Sequence, residues 1–201
     1  GALTVTMKLF PAIVTLHLLL AMGLLMLLAA QAQSYAPKPM ALSAGLRRGA
    51  LTVLLLVLAQ VALGAWVSTN YAVLACNEFP QCQLGQWWPA TDFEHGFTLW
   101  RELGRRGDGN LLSFPALTAI HLVHRIGAAV VFAASALLIW RLHAQGQSRW
   151  ARRLGLVVLW QAATGISNVV LGWPLIAALS HTGGAAVLLG FLTVICVRAR
   201  Q

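Results

Sequence analysis

The sequence predicts an all-α integral membrane protein with five transmembrane helices. Hydrophobic residues make up 59% of the 201 residues and charged residues only 9%, a composition that excludes a soluble globular domain. Five apolar stretches are each long enough to cross a hydrocarbon core, which takes about 20 helical residues. They cover residues 9–32, 49–74, 117–144, 151–173 and 174–198. The first stretch lacks the basic region and the small-residue cleavage site of a signal peptide.

The distribution of charge predicts how these helices cross the membrane. The formal net charge is +9, and most basic residues fall in the first loop, the third loop and the C-terminal end. They are Lys38, Arg47 and Arg48; Arg141, Arg149, Arg152 and Arg153; and Arg198 and Arg200. The long second loop, residues 75–116, holds all five acidic residues: Glu78, Asp92, Glu94, Glu102 and Asp108. Lysine and arginine mark the cytoplasmic side, so we expect a cytoplasmic C-terminus, an outer N-terminus and no nucleic-acid partner.

Four histidines interrupt the apolar helices at similar predicted depths. They are His17, His121, His124 and His181, and each lies roughly 7–12 Å along its helix from the outer face at 1.5 Å per residue. Imidazole is costly in hydrocarbon, so three helices that agree in depth favour a shared prosthetic group or a proton path over simple interhelical hydrogen bonds. Axial ligation of haem iron needs this arrangement. His95 in the loop and His143 at the cytoplasmic end receive no role.

Small residues follow two of these histidines. Gly127, Ala128 and Ala129 come after His124, and Gly183, Gly184 and Ala185 come after His181. They leave room for a flat macrocycle, or alternatively they let two helix backbones approach closely. Arg125 is the only arginine deep in a predicted helix. We expect it to pair with a haem propionate near the outer surface, with outward extension along its own helix as the alternative.

The outer loop carries a pair of cysteines, Cys76 and Cys82, with Pro80 between them. A disulfide is favoured because the predicted compartment is oxidising and proline favours the turn that would bring the thiols together. A zinc site is the alternative, although two thiols at this spacing are unusual for zinc. Cys196, near the cytoplasmic side, is interpreted as a packing residue. Trp87, Trp88, Phe97 and Trp100 suit a segment that rests at the membrane interface and covers the histidine end of the helices.

A short repeat links the first and last predicted helices. Aligning Gly1 with Gly165 also aligns His17 with His181. The first helix is then the counterpart of the fifth, and the last four helices form one complete antiparallel four-helix unit. On this interpretation the chain is the C-terminal part of an eight-helix protein, with three helices expected before residue 1.

Several ordered motifs resemble the haem A synthase family, in its proteobacterial form. They are the run Gly64–Tyr71 (GAWVSTNY), the pair Cys76 and Cys82 followed by Gln86–Pro89 (QWWP), Ile120–Arg125 (IHLVHR) and Ser180–Gly184 (SHTGG). The resemblance covers essentially the whole chain. It implies a bacterial inner-membrane oxidoreductase with eight helices in two pseudo-symmetric halves. That family oxidises a ring methyl of haem O to a formyl group, giving haem A for terminal oxidases.

The resemblance also implies a division of this chain. Residues 1–32 would be the last helix of an incomplete N-terminal half, residues 33–48 a cytoplasmic linker, and residues 49–201 the C-terminal half with its periplasmic loop 75–116. The implied partners are haem O as substrate, haem O synthase, cytochrome oxidase assembly proteins and membrane lipid. A homo-oligomer is compatible with this arrangement.

Roles for individual residues follow from the resemblance. His124 and His181 match the ligands of a haem b, and His17 matches a ligand of the substrate haem. The partner of His17 and a catalytic glutamate are expected upstream of residue 1, because His121 stands at the equivalent position of the second half. The Cys76–Cys82 pair is expected to be structural. The competing hypothesis is a non-catalytic b-type cytochrome or membrane anchor. A transporter or proton channel is less favoured because the predicted helices contain no carboxylate.

Overall fold

The computed structural model describes residues 1–35 and 38–199, and every named element in them is helical. The helices are α1 (Ala2–Thr6), α2 (Pro11–Tyr35), α3 (Ala44–Thr69), α4 (Phe93–Gly96), α5 (Phe114–Ala144), α6 (Ser148–Val170) and α7 (Leu175–Arg198), with a 3₁₀ turn at Ala72–Leu74. Five of them, α2, α3, α5, α6 and α7, are long and apolar enough to cross a membrane. The predicted all-α, multi-pass membrane protein is confirmed.

The second long helix begins and ends five residues earlier than its apolar stretch predicts. It starts at Ala44 because the Ser43 side chain accepts a hydrogen bond from the backbone N–H of Leu46. It ends at Thr69, and Tyr71 then adopts a left-handed conformation with φ 54°. The segment between α2 and α3 is therefore shorter than the expected linker 33–48. Two residues of that linker, 36–37, and the basic residue Arg200 lie outside the described residues.

The long helices pack as a ring with one helix outside it. α3 contacts α5 and α7, α6 also contacts α5 and α7, and α2 lies against α3 and α7. The main core is built from residues of low exposure at the start of α3 and α6 and at the end of α5 and α7. Its most buried members are Leu46, Ala50, Leu142, Leu154, Leu189, Leu192 and Ile195. These residues lie away from the long loop, so the tightest packing is at the opposite end of the molecule.

A second, smaller cluster lies at the loop end, which we define as the end where α3 and α6 stop and α5 and α7 start. It contains Trp66, Val67, Ala72 and Ile120. Between this cluster and the main core the helices carry glycine, glutamine and histidine among apolar side chains such as Leu63, Leu122 and Ile126. The fold therefore leaves a polar middle section between two apolar clusters.

The turns that lead into α2 and α7 have the same backbone conformation. Lys8 and Leu9 both have positive φ, at 50° and 59°, as do Gly172 and Trp173, at 67° and 65°. The hydrogen bonds also correspond, because Leu9 N–H donates to Thr4 O at 2.9 Å and Trp173 N–H to Asn168 O at 2.8 Å. The correspondence follows the register that aligns Gly1 with Gly165. The short repeat in the sequence is therefore matched by a repeated local structure.

The burial of α7 predicts a contrast between two neighbouring residues. Leu189 is fully buried in the main core, whereas Val187 is 57% exposed. Replacing Leu189 by Ala should lower the free energy of unfolding by about 2 kcal/mol, the low end of the usual range for a buried leucine. The value is low because, in a lipid environment, the substitution costs packing contacts while the transfer of the side chain out of water contributes little. Val187→Ala should change it by less than about 0.5 kcal/mol. Thermal unfolding in detergent measures both, and equal effects would contradict the assigned core.

Candidate functional site

Two of the histidines singled out by the sequence lie in the polar middle section. His124 lies on α5 and His181 on α7, both partly buried. His17 is exposed on α2, where its Nδ1 lies 3.4 Å from the amino nitrogen of Gly1. His124 and His181 therefore lie on two helices of the ring, whereas His17 lies on the helix outside it.

His124 lies in a socket formed by α3. The Nε2 atom of Gln60 is 2.8 Å from the backbone carbonyl of His124, to which it donates, and 2.9 Å from the ring Nδ1. Gly64 lies one helical turn further along α3, facing the ring. A Cβ atom at Gly64 would be 3.0 Å from Cε1 of His124, so the ring packs closely against the backbone of this glycine.

His181 lies in an equivalent socket formed by α6. Gln161 Nε2 donates to the backbone carbonyl of His181 at 3.1 Å. Thr164 Oγ1 is 3.0 Å from the ring Nδ1. A Cβ atom at Gly165 would be 3.2 Å from Cε1 of the ring. The two histidines are thus held by the same elements: a glutamine on the backbone carbonyl and a glycine against the ring.

A second glycine completes each socket, three residues after the histidine. A Cβ atom at Gly127 would collide with the side chain of Gln60, and one at Gly184 would collide with the side chain of Gln161. At these two positions the absence of a side chain therefore lets a glutamine from the neighbouring helix approach the backbone closely. Gly183, by contrast, faces open space. The sequence pattern is Gln-x₃-Gly on one helix and His-x₂-Gly on the next, and it occurs twice. Sequence reasoning missed the two glutamines, although this repeated spacing is visible in the chain.

The residues present fit axial ligation of a haem iron. Imidazoles from two facing helices are the usual ligands of a b-type haem. In such sites the second ring nitrogen donates to a hydrogen-bond acceptor. Thr164 Oγ1 can accept from Nδ1 of His181, whereas the atom facing Nδ1 of His124 is the donor Gln60 Nε2. In addition, Gln60 Oε1 is buried and has no hydrogen-bond partner within the described structure, so the socket retains an unused acceptor.

His121, left without a role by the sequence, anchors the long loop. Its ring is buried, and its Nδ1 accepts a hydrogen bond from the backbone N–H of Cys76 at 3.2 Å. Arg125, one helical turn further, donates to Gln81 O at 2.8 Å and to Cys76 O at 3.0 Å. The Arg125 side chain therefore extends toward the loop. These contacts could not be foreseen because they depend on the path of the loop.

The loop segment held by these two residues is closed by a disulfide. Cys76 and Cys82 are bonded to each other, and both are almost completely buried. The predicted disulfide is confirmed, and the zinc alternative is excluded because both sulfur atoms are used. Cys196 is half-buried and packs against the main core on α7.

Two further contacts fix the rest of the loop to α3. Trp66 Nε1 donates to Gly96 O at 2.9 Å, and Arg101 donates to Asn70 Oδ1 at 2.5 Å. Arg101 is only 3% exposed, and this burial lowers the pKa of its guanidinium. Trp87, Trp88 and Trp100 remain largely exposed. These aromatic side chains suit the interface role expected from the sequence.

Together these features define a class: multi-pass membrane proteins that hold a pair of interior histidines below a disulfide-closed loop. The model of the cytochrome oxidase assembly protein family, COX15-CtaA, matches residues 1–193, and the chain belongs to this family. The family resemblance seen in the sequence is confirmed.

Curated relatives agree with this assignment. The chain is similar to a heme A synthase of Shewanella oneidensis, with 37% identity over 195 residues, covering 94% of this chain and 58% of the relative. It is also similar to a heme A synthase of Methylobacterium radiotolerans, with 34% identity over 94% of this chain and 48% of the relative. A third, from Halalkalibacterium halodurans, is 32% identical over 72% of this chain and 43% of the relative. The chain thus spans about half the length of these relatives.

The contacts of Arg125 predict that this side chain controls the order of the disulfide loop. Arg125→Gln should raise amide hydrogen exchange in residues 76–86 by about tenfold or more, because hydrogen bonds from a charged donor each contribute roughly 1.5–3 kcal/mol. Arg149→Gln, an exposed residue outside the loop, is the matched control and should leave exchange in that segment unchanged. Equal protection of residues 76–86 in both variants would show that Arg125 does not hold the loop.

Proposed function

We propose that the protein takes part in haem A synthesis, the oxidation of a methyl group of haem O to a formyl group. Family membership and the relatives named heme A synthase support this activity. Because the chain spans about half of each relative, the activity is proposed for the whole protein that contains it. Haem O is then the substrate, and haem O synthase and oxidase assembly proteins are its proposed partners.

The observation that carries the proposal is the pair of equivalent sockets around His124 and His181. We propose that these two residues ligate a haem b, which when bound would accept or relay electrons from the two successive oxidations at the methyl carbon. The chain's own contribution is to hold the rings. Gln60 and Gln161 fix the backbone of each ligand, and Gly64 and Gly165 provide the surface against which each ring lies.

The proposed architecture extends this pairing. α3, α5, α6 and α7 would form one four-helix unit corresponding to residues 49–201, and α2 the last helix of a second, pseudo-symmetric unit that includes residues 1–32. The ring of helix contacts and the matching turns before α2 and α7 support this arrangement. In it, His17 would be a ligand of the substrate haem, as the counterpart of His181.

We further propose that the protein lies in a bacterial inner membrane, with the long loop on the periplasmic side and the C-terminus in the cytoplasm. The basic residues at the end opposite the loop support this orientation. So does the disulfide, since an oxidising compartment preserves it. Arg125 is close to this surface, and a haem propionate is its proposed additional partner.

Deleting the gene tests the proposed reaction against a non-catalytic cytochrome, which explains the paired histidines equally well. Cells without the protein should accumulate haem O and lack haem A, as measured by chromatography of extracted haems. The full-length gene should restore haem A. Retention of haem A in the deletion strain would favour the electron carrier and contradict the synthase.

The proposed ligands predict a spectrum. The purified protein should show a six-coordinate, low-spin b-type haem, and either His124→Ala or His181→Ala should abolish or convert that spectrum. His143→Ala is a matched control, because His143 lies in the last turn of α5, at the opposite end of this helix from His124. There its Nδ1 is hydrogen-bonded to the Ser148 hydroxyl. A normal spectrum in the His181→Ala variant would remove that residue from the ligand pair.

A further inference from the structure

The end of the molecule opposite the loop carries two arginines that the proposed haem chemistry does not use. Arg47 and Arg48 lie in the first turns of α3, and both are exposed. Neither guanidinium forms a hydrogen bond or an ion pair with another described residue. All five acidic residues of the chain fall within residues 75–116, on the loop side. The start of a helix is also the positive end of its dipole, so an anion bound here would be stabilised by both charges and by the helix.

The two arginines line a cavity between α3 and α7. Its volume is about 300 Å³, and Ala44, Leu51 and Cys196 complete the lining. Guanidinium groups offer planar sets of N–H donors that match the oxygens of a phosphate group. The remaining lining is small or apolar. The cavity therefore suits a ligand that is anionic at one end and apolar at the other.

The surface of α3 below the cavity is apolar and exposed. Arg47, Leu51 and Leu55 follow one another at intervals of four residues, so their side chains lie along one side of the helix. Leu51 is 38% exposed and Leu55 is 56% exposed. Because α3 is long and apolar enough to cross a membrane, this side runs from a charged end into the hydrocarbon region. An acyl chain can lie along the two leucines while its headgroup remains at the arginines.

Other arginines at this end do not offer the same combination. Arg198 donates to Gln33 Oε1 at 2.8 Å. A second cavity, of about 360 Å³, lies beside the start of α3, and Arg141 is the basic residue in its lining. Two of its polar groups already satisfy each other, since Gln145 Nε2 donates to Ser43 Oγ at 2.7 Å. The cavity between α3 and α7 is therefore the better site for an anionic group.

We propose that this cavity binds an anionic phospholipid of the proposed cytoplasmic leaflet. The headgroup phosphate accepts hydrogen bonds from Arg47 and Arg48, and an acyl chain lies along Leu51 and Leu55. Basic pockets between transmembrane helices on the cytoplasmic side are suited to such headgroups. A lipid is favoured over a soluble phosphate compound because the charged lining continues into the exposed apolar side of α3. The site is separate from the histidine sockets, because only the first two turns of α3 contribute to it.

Titration of the full-length protein in detergent with phosphatidylglycerol, read by native mass spectrometry, tests the role of charge. Arg47→Gln combined with Arg48→Gln should weaken binding by about tenfold or more, because two charged donors to the phosphate are lost. Arg152→Gln combined with Arg153→Gln is the matched control. This exposed pair lies in the first turns of α6 at the same end and does not line the cavity, so its loss should change binding little. Equal losses in the two double variants would show a general attraction to basic residues and overturn the site.

A second pair of variants tests the cavity while both arginines are retained. Leu51→Trp should fill the cavity and weaken the binding of phosphatidylglycerol. Leu137→Trp is its control, because Leu137 on α5 is also exposed and lies equally far from its helix end, outside the cavity. Unchanged binding in Leu51→Trp would exclude the cavity as the site.

Two other probes identify the occupant. Phosphatidylcholine, which has the same chains but no net charge, should bind more weakly than phosphatidylglycerol, and equal binding would contradict an anionic ligand. Glycerol 3-phosphate supplies the phosphate without acyl chains and should not displace the lipid. Displacement would show that a soluble phosphate compound occupies the cavity and would overturn the proposed lipid.

Discussion

The requirement that polar groups within a membrane be satisfied inside the protein controls the middle of this molecule. A polar side chain in hydrocarbon has no water to bond, so each one that is retained needs a partner from a neighbouring helix. The amide nitrogens of Gln60 and Gln161 meet this requirement by donating to the backbone carbonyl of the histidine on the adjacent helix, whereas Gln60 Oε1 has no partner among the described residues. Two of the glycines follow from the same constraint, because a Cβ atom at Gly127 or Gly184 would collide with these amides. The histidine sockets are the result.

The two ends of the helices serve different purposes. The end away from the loop is packed with buried leucine, isoleucine and alanine, and interhelical contacts there hold α3, α5, α6 and α7 together. The loop end carries fewer buried apolar residues and relies on hydrogen bonds, such as Trp66 to Gly96 and Arg101 to Asn70. The tightly packed base therefore supports an upper half in which hydrogen bonds hold the polar side chains in place.

Much of this structure could be predicted from the sequence. Composition and apolar length identify all five long helices. The predicted depth singles out His17, His121, His124 and His181 together, and only the family resemblance separates His124 and His181 as a pair. The limits of α3 could not be predicted from hydropathy, because the cap at Ser43 and the left-handed Tyr71 are decided locally. The loop contacts of His121 and Arg125 depend on the three-dimensional path of about forty residues. The glutamines differ again, since their spacing repeats in the sequence but their meaning depends on which helices are neighbours.

The contact between Arg125 and the disulfide loop resembles the binding of a cation by a crown ether. The bond between Cys76 and Cys82 closes a small ring of backbone, and two of its carbonyl oxygens, those of Cys76 and Gln81, accept hydrogen bonds from one guanidinium. A host that is closed beforehand loses little further conformational freedom when its guest arrives. The covalent closure therefore lowers the entropic cost that remains for the bonds of Arg125 to meet when they order this segment. In these terms α5 presents the guest, and the loop is a preformed host that recognises it.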